Sequence, residues 1–370
     1  MVTRRVIWKG TNLMKKRTML AASLALTCAL ALPAGAAFAD EPAAPAVKTD
    51  AYGNVITGSK PQPGWPRLSG DIALDTMASI VSSNAGWSVE GGTVVIASAE
   101  GWWDALSVSA LAGSEGAPVL LSYRDSVPQQ TRDQLKRLKP AKVVIVGGEA
   151  AVSEKTAAEL AAVAGSDLKR YAGADAAGTA EAVSEAVGNK SEYAVVATAG
   201  TFHDALSAAP FAYAKHAPVF FTQPDGSLSS TTLSAIGNRK VIVMGGTAAV
   251  PASVEKQLGS RFLQRVGGAD AVATSKLFAQ KRLDEGASRE GMGVATANSW
   301  YDALTGAALC GKQDSVLLLA TDYDTSAITE VARKGWNTPS WKQCSGWIFG
   351  GTAALSDEAM MSIPASGYID

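Results

Sequence analysis

The chain has 370 residues, 33 Lys and Arg against 34 Asp and Glu, two histidines and three cysteines. This near balance of charge excludes a nucleic-acid partner gripped by a basic surface, because a phosphate backbone is held mainly by clustered bases.

Residues 1–39 read as an export leader. Arg4, Arg5, Lys9, Lys15, Lys16 and Arg17 precede an apolar run ending in Ala37-Phe38-Ala39, an A-x-A site that places cleavage before Asp40. Met14 offers an alternative start, since MKKRTML is a complete basic segment by itself. Cys28 lies inside the apolar run, but Leu26-Thr27 are not the small residues that precede a lipoprotein cysteine. Processing removes six bases and no acid, leaving 27 against 34 and a net charge of −7. No later segment holds about 18 uninterrupted apolar residues, so no membrane contact is expected after cleavage. The processed chain is expected to be secreted or to sit on the cell surface. Residues 40–66 contain Pro42, Pro45, Pro61, Pro63 and Pro66 and little that could build a core, which predicts a Pro/Ala-rich tether with structure beginning at Arg67.

From Arg67 onward the hydrophobic period alternates. Residues 94–97 form a short β-branched run, 105–112 a helical stretch, 118–121 a second apolar run, 129–138 an amphipathic helix, 143–146 a third run and 153–163 another helix. Short strands without polar alternation, separated by helices, predict an α/β fold with a parallel sheet covered on both faces and right-handed crossovers. Gly147-Gly148 permits a tight strand-to-helix turn, and Ser153 is placed to cap the next helix with Glu154 in its first turn.

The chain then repeats itself. VVIASAEGWWDALSVSALAGSEGAPVLL is echoed by AVVATAGTFHDALSAAPFAYAKHAPVFF and GVATANSWYDALTGAALCGKQDSVLLL. KVVIVGGEAAVS returns as KVIVMGGTAAVP and GWIFGGTAALS, and RLSGDIALDT returns as RYAGADAAGT and RVGGADAVAT. Asp104, Asp204 and Asp302 are 100 and 98 residues apart, so each unit is of domain size. The expected modules are residues 67–165, 166–260 and 261–370.

Within the second copy, FHDALSAA sets His203 beside Asp204 with Ser207 one helical turn on, the residue types of a hydrolase triad. The repeats argue against that reading, because the position of His203 is Trp103 in the first copy and Tyr301 in the third. What persists is the acid: Asp104, Asp204 and Asp302 are placed either to cap the following helix or to line a cleft at the strand ends. The double glycines suit a tight turn better than a phosphate cradle, and neither a P-loop nor a GxGxxG accompanies them, so no nucleotide, metal or other cofactor is expected. Trp102, Trp103, Phe202, Trp300 and Tyr301 are candidates for core filling or for stacking on sugars or cations. Cys310 and Cys344 survive processing, and a bridge between them is expected in an exported chain, with an effect of about 3–4 kcal/mol.

Together these landmarks resemble the cell wall binding repeat 2 family, modules that occur in threes on exported Gram-positive surface proteins. The features are the R-x-x-G opening with Thr76, Thr179 and Thr274 six residues after its glycine, the D-A-L element, the P-[IV]-L-L strand and the Gly-Gly turn before A-V-S or A-V-P. The resemblance implies three small α/β modules in an intramolecular pseudo-threefold trimer, a monomer overall, bound noncovalently to an anionic cell wall glycopolymer. It also implies an attachment role for Pro118-Val119-Leu120-Leu121 and Pro218-Val219-Phe220-Phe221, and for Val316-Leu317-Leu318, where Ser315 replaces the proline. Four apolar residues in a parallel strand are ordinarily core, which favours an indirect role through packing. An arginine common in the family three residues after the opening glycine is Ala73, Ala176 or Ala271 here. That leaves Arg67, Arg170 and Arg265 as candidates for contacting the anion, with internal salt bridges as the alternative.

The resulting expectation is a noncatalytic wall-binding protein. The alternatives are a peptidoglycan amidase or its enhancer, which would need a metal or nucleophile site that two histidines do not supply, and a self-assembling surface-layer component.

Overall fold

A computed structural model describes residues 48–49, 55–56, 64–88, 90–334, 344–361 and 363. The expected leader at 1–39 and its cleavage site lie outside the described residues. Within the 40–66 stretch, β1 (Lys48–Thr49) and β2 (Val55–Ile56) form a two-residue antiparallel pair in a unit of their own. In the second unit, packing begins before Arg67: Trp65 is buried to 2% exposure, its ring lying against Gly346. An indole has too much apolar surface to remain in a solvated tether when a side-chain-free surface is available to it.

The first repeat runs β3 (Arg67–Leu68), α1 (Ala73–Ser82), β4 (Thr93–Ser98), α2 (Trp102–Ala105), α3 (Val108–Ser114), β5 (Val119–Ser122), α4 (Gln129–Leu138), β6 (Lys142–Val146) and α5 (Glu154–Ala164). The expected α/β alternation is realised. One expected helix is divided, because the Ser107 amide and hydroxyl both donate to the Asp104 carbonyl and tighten the turn between α2 and α3. Ser153 caps α5 as its sequence suggests, its Oγ accepting from the Thr156 amide. Gly147 ends β6 at φ +120°, a conformation that disfavours any side chain.

The second repeat runs β7 (Asp167–Tyr171), α6 (Ala176–Val187), β8 (Tyr193–Ala197), α7 (His203–Ala214), β9 (Val219–Phe221), α8 (Ser230–Ile236), β10 (Lys240–Met244) and α9 (Ser253–Leu258). The third runs β11 (Phe262–Val266), α10 (Ala271–Asp284), β12 (Glu290–Thr296), α11 (Tyr301–Lys312), β13 (Leu317–Ala320), α12 (Ser326–Lys334), β14 (Ser345–Phe349) and α13 (Asp357–Met360). Among the described residues no helix is long and apolar enough to cross a membrane.

Three four-stranded parallel sheets result, in the orders β5-β4-β6-β7, β9-β8-β10-β11 and β13-β12-β14-β3. The fourth strand of each comes from the opening of another repeat. Arg170 of β7 pairs in register with Ile145 of β6, and Arg265 of β11 with Val243 of β10. The opening of the first repeat closes the series, with Arg67 of β3 paired to Ile348 of β14. Sequence neighbours therefore share sheets, and the first and last repeats are joined by backbone hydrogen bonds.

The helices follow the same rule. α6 packs on α3 of the repeat before it, α10 on α7, and α1 on α11, while α3, α7 and α11 pack on one another. Glycines permit that last approach: a Cβ at Gly113 would collide with the Tyr213 carbonyl, and one at Gly311 would lie 2.5 Å from the Tyr213 Cβ. The Tyr213 hydroxyl donates to the Ala117 carbonyl at 3.1 Å across the same junction.

Cys310 lies in this core, fully buried on α11 with its sulfur against Gly293. The expected Cys310–Cys344 bridge is not formed. The Cys310 side chain is directed into the apolar interior, where burial pushes its thiol pKa far upward, while Cys344 is half-buried just ahead of β14.

Gly113→Ala is expected to destabilise the protein by about 1–3 kcal/mol through overpacking at the repeat junction. Gly92→Ala, where a Cβ meets nothing within 4 Å, should shift the urea midpoint little. Equal midpoints for the two variants would contradict the close approach of α3 and α7.

Candidate functional site

In each sheet the first strand after the opening lies between its two successors, so β4 is flanked by β5 and β6. Connections leave it in opposite directions, and a crevice opens beyond the carboxyl ends of the strands. The Gly-Gly turn, the start of the D-A-L helix and the opening of the next repeat all arrive there.

Asp104, Asp204 and Asp302 occupy the first turns of α2, α7 and α11, not their N-caps, which are Gly101, Phe202 and Trp300. Each carboxylate faces the first glycine of a pair. A Cβ on Gly147 would stand 2.9 Å from Asp104 Oδ2, and Cβ atoms on Gly245 and Gly350 would stand closer still to Asp204 and Asp302. The acid and the bare glycine thus occupy one space.

The acids also reach another repeat. Asp204 is hydrogen-bonded by Thr274, and Asp302 by Thr76. The Thr274 hydroxyl in turn accepts from the Gly268 amide at 2.9 Å, and that of Thr179 from Gly173 at 3.1 Å. Burial raises the Asp204 pKa, offset in part by Thr274 and then by His203. Burial pushes Asp302 up to about 6 despite Thr76, and its Oδ1 is buried with no hydrogen-bond partner. Asp104 is the more exposed counterpart.

The arginines of the openings hold the other side of the turn. Arg170 donates to the Gly147 and Gly148 carbonyls at 2.9 and 3.2 Å and pairs with Glu154 at 2.9 Å. Arg265 donates to the Gly245 and Val250 carbonyls, both at 2.8 Å, and pairs with Glu255 at 2.7 Å. Arg67 donates to the Gly350 carbonyl at 2.8 Å and pairs with Asp357 at 2.7 Å. All three side chains are at most 17% exposed. Their geometry is that of internal fasteners between consecutive repeats and, for Arg67, between the first and the last.

The apolar strand candidates lie in the core. Pro118, Val119, Leu120 and Leu121, with Pro218, Val219, Phe220, Phe221, Val316, Leu317 and Leu318, are all buried. Their side chains contribute through packing, and Phe221, at the end of β9, also borders the groove between the first two repeats.

His203 is not part of a catalytic relay. Its Nε2 donates to the Ala297 carbonyl of the third repeat at 3.0 Å, and the Ser207 hydroxyl donates to the His203 carbonyl at 2.9 Å and not to the ring. The first aromatic pair divides its labour. Trp102, Phe202 and Trp300 pack inward, whereas Trp103, stacked on Trp102 at 4.7 Å, is 51% exposed.

Between the strand ends of the first and second sheets lies a groove of about 830 Å³. It is lined by Trp103, Asp104 and Gly148 of the first repeat, by residues 173–177 of the second opening, and by residues 198–200, 221–226, 248–249 and Pro251. Asp175 caps α6 through the Gly178 amide at 2.8 Å, and Asp225 accepts from the Ser227 amide and hydroxyl, which holds its carboxyl below the usual range. No Lys, Arg or His is among the lining residues.

Sequence reasoning placed Asp104 and Trp103 at this end of the fold. It missed the Asp–Thr pairs and the groove acids Asp175 and Asp225. The regular offset of Thr76, Thr179 and Thr274 was a usable signal for the former; the groove depends on how two repeats meet.

Asp302 carries a folded pKa above its unfolded value, so the folded chain binds the extra proton. Ionisation of Asp302 therefore costs stability above about pH 6, and that cost is relieved as pH falls toward about 4. Relative to Asp302→Asn, the parent protein should gain stability between pH 7 and pH 5, measured by urea unfolding. A stability difference that does not change with pH would contradict the buried carboxylate. Arg170→Gln should cost about 1.5–3 kcal/mol by the same assay, as loss of charged hydrogen bonds; an unchanged midpoint would contradict the fastener role.

Residues 67–157, 170–255 and 265–360 match the family described as Cell wall binding domain 2 (CWB2). Among curated proteins, the chain is 30% identical over 237 residues to the N-acetylmuramoyl-L-alanine amidase LytC of Bacillus subtilis (strain 168), covering 63% of this chain and 46% of that protein. It is 26% identical over 305 residues to the amidase enhancer of the same organism, covering 82% of this chain and 40% of that protein. The chain thus spans less than half the length of these relatives. Among solved structures, Cwp6 from Clostridium difficile superposes with a TM-score of 0.69 at 20% identity, over 82% of this chain and 49% of that one. Cwp8 from the same organism superposes with a TM-score of 0.70 at 23% identity, over 80% and 51%. These likenesses show the fold, and the three matched segments, which cover most of the sequence, show the family: the chain belongs to the cell wall binding domain 2 family.

Proposed function

We propose that this protein is a noncatalytic wall-binding protein, exported and held at the cell surface by noncovalent attachment of its three repeats to an anionic secondary wall polymer. The observation that carries this reading is the threefold match to the wall-binding family over the folded chain. The arrangement of the repeats supports a pseudo-threefold body, because every opening strand and helix docks on a neighbouring repeat in the same way. Several weak contacts on one rigid body bind a repetitive polymer well, since contacts after the first are intramolecular.

The absence of catalysis is proposed from the site itself. His203, Asp204 and Ser207 are each engaged with groups that do not form a relay. The names of the two Bacillus relatives describe longer proteins, and their activities do not transfer with a shared segment. With Arg67, Arg170 and Arg265 holding repeats together, anionic groups of the polymer would meet helix-start amides and other surface bases.

Cosedimentation with purified Gram-positive walls tests the reading. Retention is expected on intact walls, lost when anionic polymers are stripped and weakened by salt, with no clearing band in a zymogram. Full retention on stripped walls, or a clearing band, would contradict it.

A further inference from the structure

The groove between the first two repeats has a volume within the range of about 300–1,000 Å³ seen for small-ligand sites. Its rim carries a rigid aromatic plate. Trp103 stacks on Trp102, which is itself tied to the second repeat by its indole N–H to the Ala199 carbonyl at 3.4 Å and by edge contact with Phe202. Gly101 leaves room for the Trp103 ring, which a Cβ would meet at 2.6 Å. One indole face is therefore held and the ring remains half exposed.

The chemistry around this plate is one-sided. Asp104, Asp175 and Asp225 line the groove with Gln223 and Thr222, and no base is present. Phosphate would meet repulsion here. The carboxylates are also too dispersed for a metal, since no group of three His, Cys, Asp or Glu among the described residues could hold one. An occupant must be extended, flat enough to stack on an indole, rich in hydrogen-bonding groups and complementary to negative charge.

We infer that the groove takes a hexose ring bearing a protonated amine, stacked on Trp103, with its ammonium and hydroxyl groups on Asp104, Asp175 and Asp225. This deepens the wall-glycan reading and rests on it. The groove selects the amino-sugar component of a wall polymer, while its anionic groups are met elsewhere on the protein.

The test uses the full chain and three probes: a β-1,4-linked glucosamine tetramer, the matching N-acetylglucosamine tetramer and a glycerol phosphate oligomer, titrated calorimetrically. The glucosamine tetramer is expected to bind at least roughly tenfold more tightly than either other probe, in line with the strength of a desolvated cation–π and charge contact. Trp103→Ala and the double variant Asp175→Asn/Asp225→Asn should each weaken it by a similar factor. Asparagine can still cap α6 and accept from Ser227, so the double variant keeps the local fold, and an unchanged urea midpoint verifies this. Equal binding of the acetylated tetramer, preference for the phosphate oligomer, or parental affinity in either variant would overturn the inference. Wall retention by the parent without binding of the glucosamine tetramer would overturn the groove assignment alone. Binding of the tetramer without wall retention would uphold the groove and overturn the wall reading.

Discussion

The arginine that opens each repeat is bound to another repeat, and the rest of the architecture follows from that bond. Arg170 and Arg265 are carried on strands that complete the sheet before them, and their guanidinium groups gather the glycine-turn carbonyls and an acid on the next helix. Arg67 does the same for the third sheet, so the opening strand of the first repeat is required by the last strand of the third. Hydrogen bonds to a charged donor contribute more than neutral ones, and here three arginines make them at equivalent junctions. A repeat removed from this series would lose a sheet strand, a helix contact and a loop fastener together.

This dependence explains why the crevices at the strand ends are composite. Each contains an acid and a glycine turn from one repeat and a threonine from another, so geometry at the site reports on how the repeats meet. The three crevices are not equal. At the second and third, the acid is buried and bonded across the junction, and Asp302 has its proton affinity raised accordingly. At the first, Asp104 stays accessible beside the exposed Trp103, and the groove opens there. One copy of a repeated element has become a surface while its counterparts became joints.

Much of this was legible in the sequence. Apolar runs of four to five residues separated by helical stretches specified a parallel α/β sheet, and the substitution of His203 by Trp103 and Tyr301 at equivalent positions argued against a triad. The buried state of residues 118–121 followed from their unbroken apolarity. The strand handover was not legible, because β3 has only two residues, β7 and β11 are mixed in polarity, and the sheet each joins is decided by tertiary pairing. The expected Cys310–Cys344 bridge failed for a related reason: an even cysteine count says nothing of direction, and α11 aims Cys310 into the core. In the sequence the arginines are open to two roles, anion contact or internal salt bridge, and the structure gives the second: each pairs with an acid, Asp357, Glu154 or Glu255, and with backbone carbonyls, which leave no mark in a sequence.

If the groove between the first two repeats takes the sugar component of the polymer, its strand-end face is a working surface alongside the bases that meet the anionic groups. Amide hydrogen exchange with and without solubilised wall polymer tests it most directly. The expected result is slowed exchange at residues 101–104, 173–177 and 222–226, with the rest of the three sheets unchanged. Slowed exchange confined to the opposite ends of α3, α7 and α11, around Lys190, Lys215 and Lys312, would contradict it.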